Sequence, residues 1–317
     1  MKPTLWAGLL ILIIAIGAGA YLKISDTVIL PAKQIESSVA ATLRVLEERY
    51  IYPEVALDMK RAVESKVSSG AYDGLSTNFG LIKQLNGDLR SVANDLHIAL
   101  SPFRDNKVSP QGPVKMRNQN YGVGGVRMLP NQLAYIEIEA FPFGNATKDA
   151  LTKAIESVSD ANAYIVDLCQ NRGGSLHTSA YLASFFLPPR TPLWSLLDRD
   201  GDVIEAYEST VIQASKSVGE APLYVLVSEN TFSAAEYFIW AMQRNERAIV
   251  IGEKTKGGAH SIEDIKIDQY FVLRTPVGRP LIEEGESNWQ AVGLRPHILV
   301  PSESALAEAE KHLRSSL

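Results

Sequence analysis

LYVLVSENTFSAAEYFIWAMQRNERAIVIGEKTKGGAH occupies residues 223–260. The run Leu223–Val227 is short, apolar and β-branched enough for a buried strand. The polar turn Ser228–Phe232 follows, and Ser233-Ala234-Ala235-Glu236 starts a helix with apolar residues at Tyr237, Trp240 and Ala241. A second buried strand, Ala248–Gly252, runs into the Gly-rich turn Lys256–Ala259. A serine at a strand-to-helix turn lies beside free helix N–H groups and the positive end of the helix dipole. That placement suits a nucleophile whose reaction builds an oxyanion. Ser-x-x-Glu before an apolar run is equally a capping box, and on this stretch alone the cap is the default.

Outward from there, the pattern alternates strand and helix from Tyr121 onward. Strands are expected at Tyr121–Met128 and Leu133–Glu139, around the turn Pro130-Asn131, then a helix at Thr147–Val158 and a strand at Ala163–Leu168. A helix follows through Tyr181 to Phe186, stopped by Pro188-Pro189. Asp200-Gly201 between Leu193–Leu197 and Val203–Tyr207 predicts a hairpin. Strands near Ile262–Ile267, Tyr270–Leu273 and Ile298–Val300 and a helix from Ser304 complete an α/β core.

In front of that core the period is helical. Ile35, Val39, Leu43, Leu46 and Tyr50 share one face, Val55, Met59, Val63 and Val67 the next, and Phe79, Ile82, Leu85 and Leu89 a third. Three short helices with tight connections read as a small bundle. Leu96–Leu100 alternates like a short strand carrying His97, and residues 101–120 read as a loop. The expected division is 1–33 as signal peptide or anchor with linker, 34–105 as bundle and His-bearing strand, and 106–317 as core.

The 317 residues, 46% hydrophobic and 21% charged, describe a globular protein with room for one large core and a satellite. A net charge of −5 without a basic run gives no reason to expect nucleic acid as partner. Lys2 precedes an apolar run, Leu5–Leu22. It reads as a signal peptide with core Leu5–Ile16 and site Ala18-Gly19-Ala20, or as an anchor at the lower length limit for crossing a bilayer. Tyr21-Leu22 extends the run and tips the reading towards the anchor. Either way the remainder is expected outside the cytoplasm, in the periplasm or its equivalent. The lone Cys169 makes no internal disulfide and, without a neighbouring cation, reads as a small buried hydrophobe.

The turn Cys169-Gln170-Asn171-Arg172-Gly173-Gly174 ends a buried strand in paired glycines. It reads either as a nest of N–H groups for an anion or as a tight strand-to-helix turn. Without a following Lys-Ser/Thr it is no P-loop. Asp198–Asp202 lacks the calcium-loop glycine and glutamate. His97, His177, His260, His297 and His312 are scattered, so no metal site is expected, nor any cofactor.

Taken in order, these segments resemble the tail-specific, or carboxy-terminal processing, serine peptidases, in the branch similar to interphotoreceptor retinoid-binding protein and the tricorn protease core. The matching segments are LEERYIYPEVA, NDLHIALSP, NYGVGGVRMLPNQLAYIEIEAFP, IVDLCQNRGGS, TFSAAEYF, VIGEKTKGGAH and NWQAVGLRPHILV, spread from Gln34 to the C-terminus. The resemblance implies a ClpP/crotonase-like β/β/α spiral core behind a three-helix bundle. No PDZ domain fits between Leu100 and Tyr121. It further implies Ser233 as nucleophile, His97 as base, Glu236 orienting the site or capping the helix, and Ala234 and Gly173, with Gly174 as neighbour, as oxyanion hole. Many members carry a catalytic lysine where this chain has Gly258, and Lys254 and Lys256 are out of register. Cys169 stands for the usual Arg, His297 for an Asp, and Gln290 for a Glu, which opens the identity of the acid. A side-chain amide oxygen at Gln290 is one way to accept the imidazole N–H, and His260 is the fallback base. The implied substrates are peptides or unfolded, tail-exposed proteins. The alternative is a non-catalytic binder of apolar, retinoid- or lipid-like ligands.

Overall fold

The computed structural model describes residues 27–104, 120–212, 218–283 and 288–316. The apolar run 5–22 and most of the loop at 101–120 lie outside the described residues. Among the described residues, no helix is long and apolar enough to cross a membrane.

Helix α1, Ala32–Arg49, buries Ile35, Val39, Leu43 and Leu46, and Tyr50 closes the same face. Pro53 opens α2, Pro53–Ser68, where its missing N–H leaves no helical bond unmade. Thr77 caps α3, Asn78–Ala93, by accepting the Gly80 N–H at 3.1 Å. The face of α3 is one residue round from the expected one: Leu81, Leu85 and Leu89 are fully buried, and Phe79 and Ile82 lie at its margin. Each such leucine contributes about 1.5–3 kcal/mol by leaving water.

Asn94 takes the left-handed conformation, φ 48°, and turns the chain out of α3. The expected strand at 96–100 is displaced: β1 is Ala99–Pro102, and His97 sits in the turn before it. The apparent alternation fails because Asp95, His97 and Ile98 are all buried while Leu96 is exposed.

The core then runs β2 (Val123–Leu129), β3 (Leu133–Ile138), α4 (Asn145–Glu156), β4 (Ala163–Asp167), α5 (Leu176–Ala183), β5 (Pro192–Leu197), β6 (Val203–Glu208), β7 (Leu223–Val227), α6 (Ala234–Arg244), β8 (Ile249–Gly252), β9 (Ser261–Lys266), β10 (Phe271–Pro280), β11 (Ile298–Leu299) and α7 (Ala305–Ser316). One sheet has the order β11-β8-β7-β4-β3-β2, parallel except for the β2–β3 pair. The other runs β1-β10-β5-β6, with β9 also on β10. The β5–β6 hairpin forms as expected, and Asp198 accepts the Asp200 and Asp202 N–H groups at its turn.

Three apolar bodies organise these layers. Ile136, Val166, Val225 and Phe238 lie in the main one, between the parallel sheet and α4–α6, which also takes in Leu193 and Trp194 of β5. The opposite sheet face packs Tyr135, Ile165 and Leu226 on Ala309 and Leu313 of α7. Leu81, Leu85 and Leu89 of the bundle share the third with Ile98, Leu100, Phe271 and Leu273. The register Leu100↔Leu273 fastens β1 to β10 at that seam. The turn bearing His97 is thereby held from the bundle side, against a turn delivered by β7.

Candidate active site

Strand β7 is buried along its whole length, so Ser228 onward must turn sharply at the sheet edge. Thr231 Oγ1 donates to the Leu168 carbonyl at 2.9 Å, and Phe232 N–H donates to Asn171 O at 3.0 Å. These bonds fasten the turn after β7 to the turn after β4. Ser233 then takes φ 56°, ψ −123°, a backbone conformation that non-glycine residues avoid. Its hydroxyl Oγ lies 3.2 Å from His97 Nε2.

Glu236, the partner in the capping box, is fully buried. Its Oε2 accepts the Ser233 N–H at 2.8 Å and the Gly258 N–H at 2.7 Å; its Oε1 accepts the Gly257 N–H at 2.8 Å and the Thr255 hydroxyl at 2.6 Å. One carboxylate therefore joins the serine turn to the Gly-rich turn. Burial pushes the Glu236 carboxyl up to about 7, against the pull of those four donors.

The paired glycines make the close approach possible. A Cβ on Gly173 would stand 2.7 Å from Ser233 Cβ and 2.9 Å from the Ala234 nitrogen. Gly173, however, does not have the free donor expected of it, because its N–H is taken by Asn171 Oδ1 at 2.7 Å. Among the described residues, no acceptor takes the main-chain N–H of Gly174 or of Ala234. Gly174 is half-buried at φ 143°, and a Cβ there would meet the Phe141 carbonyl oxygen at 2.1 Å.

Gly258 packs on the imidazole side of the serine. A Cβ at this position would come within 2.2 Å of the Phe232 ring and 2.8 Å of His97 Cε1. The Phe232 and His97 rings stack with centroids 4.6 Å apart. Lys254 and Lys256 are exposed, and Lys256 N–H is tied to the Thr231 carbonyl at 2.9 Å.

His97 is almost fully buried, which lowers its pKa below the ordinary imidazole value although Asp95 pulls the other way. Asp95 escaped the sequence reading. Its Oδ1 accepts the His97 N–H at 2.9 Å and lies 3.5 Å from His97 Nδ1. Its Oδ2 is 2.6 Å from His260 Nδ1 and 3.4 Å from the Tyr50 hydroxyl. Burial raises the Asp95 carboxyl, but bonds to His260 and His97 outweigh it and hold the group well below the usual carboxylate range. The available signal was the Asp-x-His spacing in NDLH, where an Asp side chain commonly accepts the N–H two residues on.

Gln290 is not near this role: its Oε1 accepts the Ala259 N–H at 2.8 Å. His260 reaches Asp95 rather than Ser233. His297 Nδ1 accepts the Val250 N–H at 2.9 Å, a structural bond. Cys169 is partly buried, and burial pushes its thiol up, which disfavours the reactive thiolate. Among the described residues there is no cluster of His, Cys, Asp and Glu fit for a metal ion.

A solved structure of the tricorn protease superposes over 89% of this chain and 36% of its own, with a TM-score of 0.59 at 13% identity. A lipoprotein from Streptococcus agalactiae superposes over 95% and 100% of the two chains, with a TM-score of 0.62 at 15% identity. Both likenesses concern the fold. In sequence, the chain is 32% identical over 131 residues to the carboxyl-terminal-processing protease of a Picosynechococcus strain, covering 40% of this chain and 29% of that protein. It is 30% identical over 151 residues to the tail-specific protease of Haemophilus influenzae, covering 45% of this chain and 20% of that one. The chain thus matches under a third of the length of either relative. The profile of the N-terminal domain of peptidase S41 in eukaryotic IRBP matches residues 20–136. With the profile of peptidase family S41 itself matching residues 132–300, more than half of its length, the chain belongs to peptidase family S41.

Proposed function

We propose that the protein is a serine endopeptidase in which Ser233 is the nucleophile and His97 the general base. The observation that carries this reading is the 3.2 Å approach of Ser233 Oγ to His97 Nε2 from two separate apolar bodies, with the serine in a strained conformation. A helix cap alone needs neither the strain nor an imidazole.

Bond formation from Ser233 Oγ to the scissile carbonyl carbon releases the hydroxyl proton to His97 Nε2, while the carbonyl electron pair moves onto oxygen. The N–H groups of Ala234 and Gly174 are the donors for that oxyanion. Gly173 contributes by lacking a Cβ, which lets the two turns meet. Losing one such donor costs about 2.7–4 kcal/mol of barrier. Collapse breaks the C–N bond, and the proton on His97 Nε2 goes to the leaving amine. Water then repeats the exchange on the acyl-serine. Glu236 does not touch the reacting atoms; it holds the Ser233 N–H in register with the Gly-rich turn.

The half-exposed serine suits an extended or unfolded segment, so the substrates are peptides or tail-exposed proteins. The site acts outside the cytoplasm, with residues 5–22 as anchor or cleaved leader. Residues 34–105 are the base-supplying part and 106–317 the nucleophile-supplying part. A fluorophosphonate probe, whose phosphorus takes the Ser233 oxygen as fluoride leaves, should label the protein at Ser233. Ser233→Ala should abolish labelling and peptide hydrolysis, with a fold cost of about 1 kcal/mol for a lost cap. His97→Ala should match it, and Lys256→Ala should keep most of the activity. Labelling that vanishes in Lys256→Ala and persists in His97→Ala would name the wrong base. Apolar ligands that bind near Ser233 without any labelling would favour a binder.

A further inference from the structure

The buried cluster behind His97 assigns a part of the machinery that Gln290 cannot supply. We propose that Asp95 is the carboxylate that orients and charges against the His97 imidazole, with His260 as the positioning residue that fixes Asp95. The proposal rests on the serine–histidine reading above.

A base acting at Nε2 must carry its resting proton on Nδ1 and needs an acceptor on that side. Asp95 Oδ1, at 3.5 Å, is the anionic atom facing His97 Nδ1. That distance is long for a hydrogen bond, as such contacts often are without substrate. Nδ1 is buried without another partner among the described residues. Gln290, by contrast, faces the Ala259 N–H and has no oxygen turned to His97. Asp95 is itself fully buried, and an unpaired carboxylate there would be costly. His260 Nδ1, at 2.6 Å from Oδ2, meets that need, with the Tyr50 hydroxyl at 3.4 Å as a weaker neighbour. His260 is held in turn by the edge-on ring of Tyr52, 5.4 Å away between centroids. His260 Nε2 has no partner among the described residues, so Nδ1 is the nitrogen that carries the interaction. The line Ser233–His97–Asp95–His260 thus runs from the half-exposed serine into the seam between core and bundle. Besides Asp95, His260 and then Arg274 of β10 act on His97, and both oppose protonation of the imidazole.

Asp95→Asn separates this role from a merely structural one, because asparagine keeps the Oδ1 acceptor for the His97 N–H and loses the charge. The rate of fluorophosphonate labelling at Ser233 should fall by about 10²–10⁴-fold, as expected when a base loses its orienting carboxylate. The acid limb of the labelling rate should move to lower pH, because the charge that favours imidazolium has gone. The melting temperature reports the structural part separately. Gln290→Glu should leave the rate unchanged. A fall of less than tenfold in Asp95→Asn, or an unmoved acid limb, overturns the proposal, as does a tenfold gain in Gln290→Glu. Should Asp95→Asn fail to fold, proton NMR of the wild-type chain decides: a downfield His97 Nδ1–H resonance is expected, and its absence from pH 6 upward, about the ordinary imidazole midpoint, refutes the pairing. A wild-type chain that takes no label at Ser233 at all fails the serine–histidine reading instead, and the Asp95 role falls with it.

Discussion

Gly258→Ala adds one methyl group where many relatives by resemblance carry a lysine, and the structure says what that methyl meets. Gly258 is not in the left-handed region, so alanine brings no backbone strain and the whole effect is steric. The new Cβ would lie 2.2 Å from Phe232 Cε2, 2.5 Å from Cζ and 2.8 Å from His97 Cε1. Ordinary contact begins near 3.4 Å, so the Phe232 edge must retreat by about 1.2 Å. The ring cannot retreat alone, because its face is stacked on His97 at 4.6 Å. Imidazole displacement of about 1 Å from the serine costs on the order of 10²-fold in rate. Overpacking of this kind costs about 1–3 kcal/mol of stability, or roughly 2–4 °C in melting temperature per kcal/mol at this size. The assay is the labelling rate at Ser233 beside a thermal melt. A Gly258→Ala chain that labels at the wild-type rate would refute the reasoning, whatever its stability, since it would show that His97 is not held through Phe232.

The proposed oxyanion donors give a second expectation. Gly174→Ala places a Cβ 2.1 Å from the Phe141 carbonyl oxygen at φ 143°, so the turn must shift, and hydrolysis and labelling should fall by about 10²–10³-fold; equal rates in a chain with an unchanged melt would remove Gly174 from the site. Acid should act on activity with one sign and on stability with two, because the buried Glu236 carboxyl, pushed up to about 7, gains stability on acidification where His97 and Asp95 lose it. Burial lowers the His97 pKa, and the neutral imidazole is the proposed base, so the acid limb of activity should fall below the ordinary midpoint of about 6.5. The unfolded imidazole binds its proton first, so this contribution to stability is full above that midpoint and is lost as pH falls through the folded value. Asp95 adds the same sign further into the acid range, its folded carboxyl being held below the usual one. Denaturant titrations of the Glu236→Gln chain from pH 8 to pH 4, about the range spanned by free imidazole and carboxyl groups, isolate the His97 and Asp95 part, and stability of that chain that rises on acidification would contradict it.

Much of the site was legible because its elements are local. The buried strand β7, the turn and Ser-x-x-Glu lie within residues 223–236, and their order alone fixes a serine at a helix start. The α1 face was readable for the same reason, since Ile35, Val39, Leu43 and Leu46 all sit on one helix. What failed was non-local. Asp95 is 165 residues from His260 and 45 from Tyr50, and no periodicity connects them. The strand expected at 96–100 failed because the turn buries Asp95 and His97 through hydrogen bonds rather than by alternation. Gly173 was mistaken for a donor because the Asn171 side chain, two residues upstream, folds back on its N–H, a bond set by the local turn rather than by the pattern of glycines.

The proposed base is coupled to its neighbour by space. Phe232, immediately before the serine, covers the face of His97 and also fills the volume into which a side chain at position 258 would grow. A lysine at 258 and a Phe232–His97 stack therefore compete for one volume, and this chain has the stack. The same crowding makes the carboxylate's position a consequence rather than an independent feature. With His97 delivered from the turn before β1, its Nδ1 faces Asp95 Oδ1, while the Gln290 amide oxygen is taken by the Ala259 N–H. An acid supplied from the turn that carries the imidazole itself, two residues upstream, reaches that nitrogen without crossing the serine turn. The burial that permits this arrangement also requires a counter-group for the anion, and His260, next in line after Gly257-Gly258-Ala259, is brought there by the Gly-rich turn that Glu236 holds. Proposed base, proposed acid and helix cap are thus one connected set of bonds, in which the glycine at 258 leaves the room that the His97 ring and Phe232 fill.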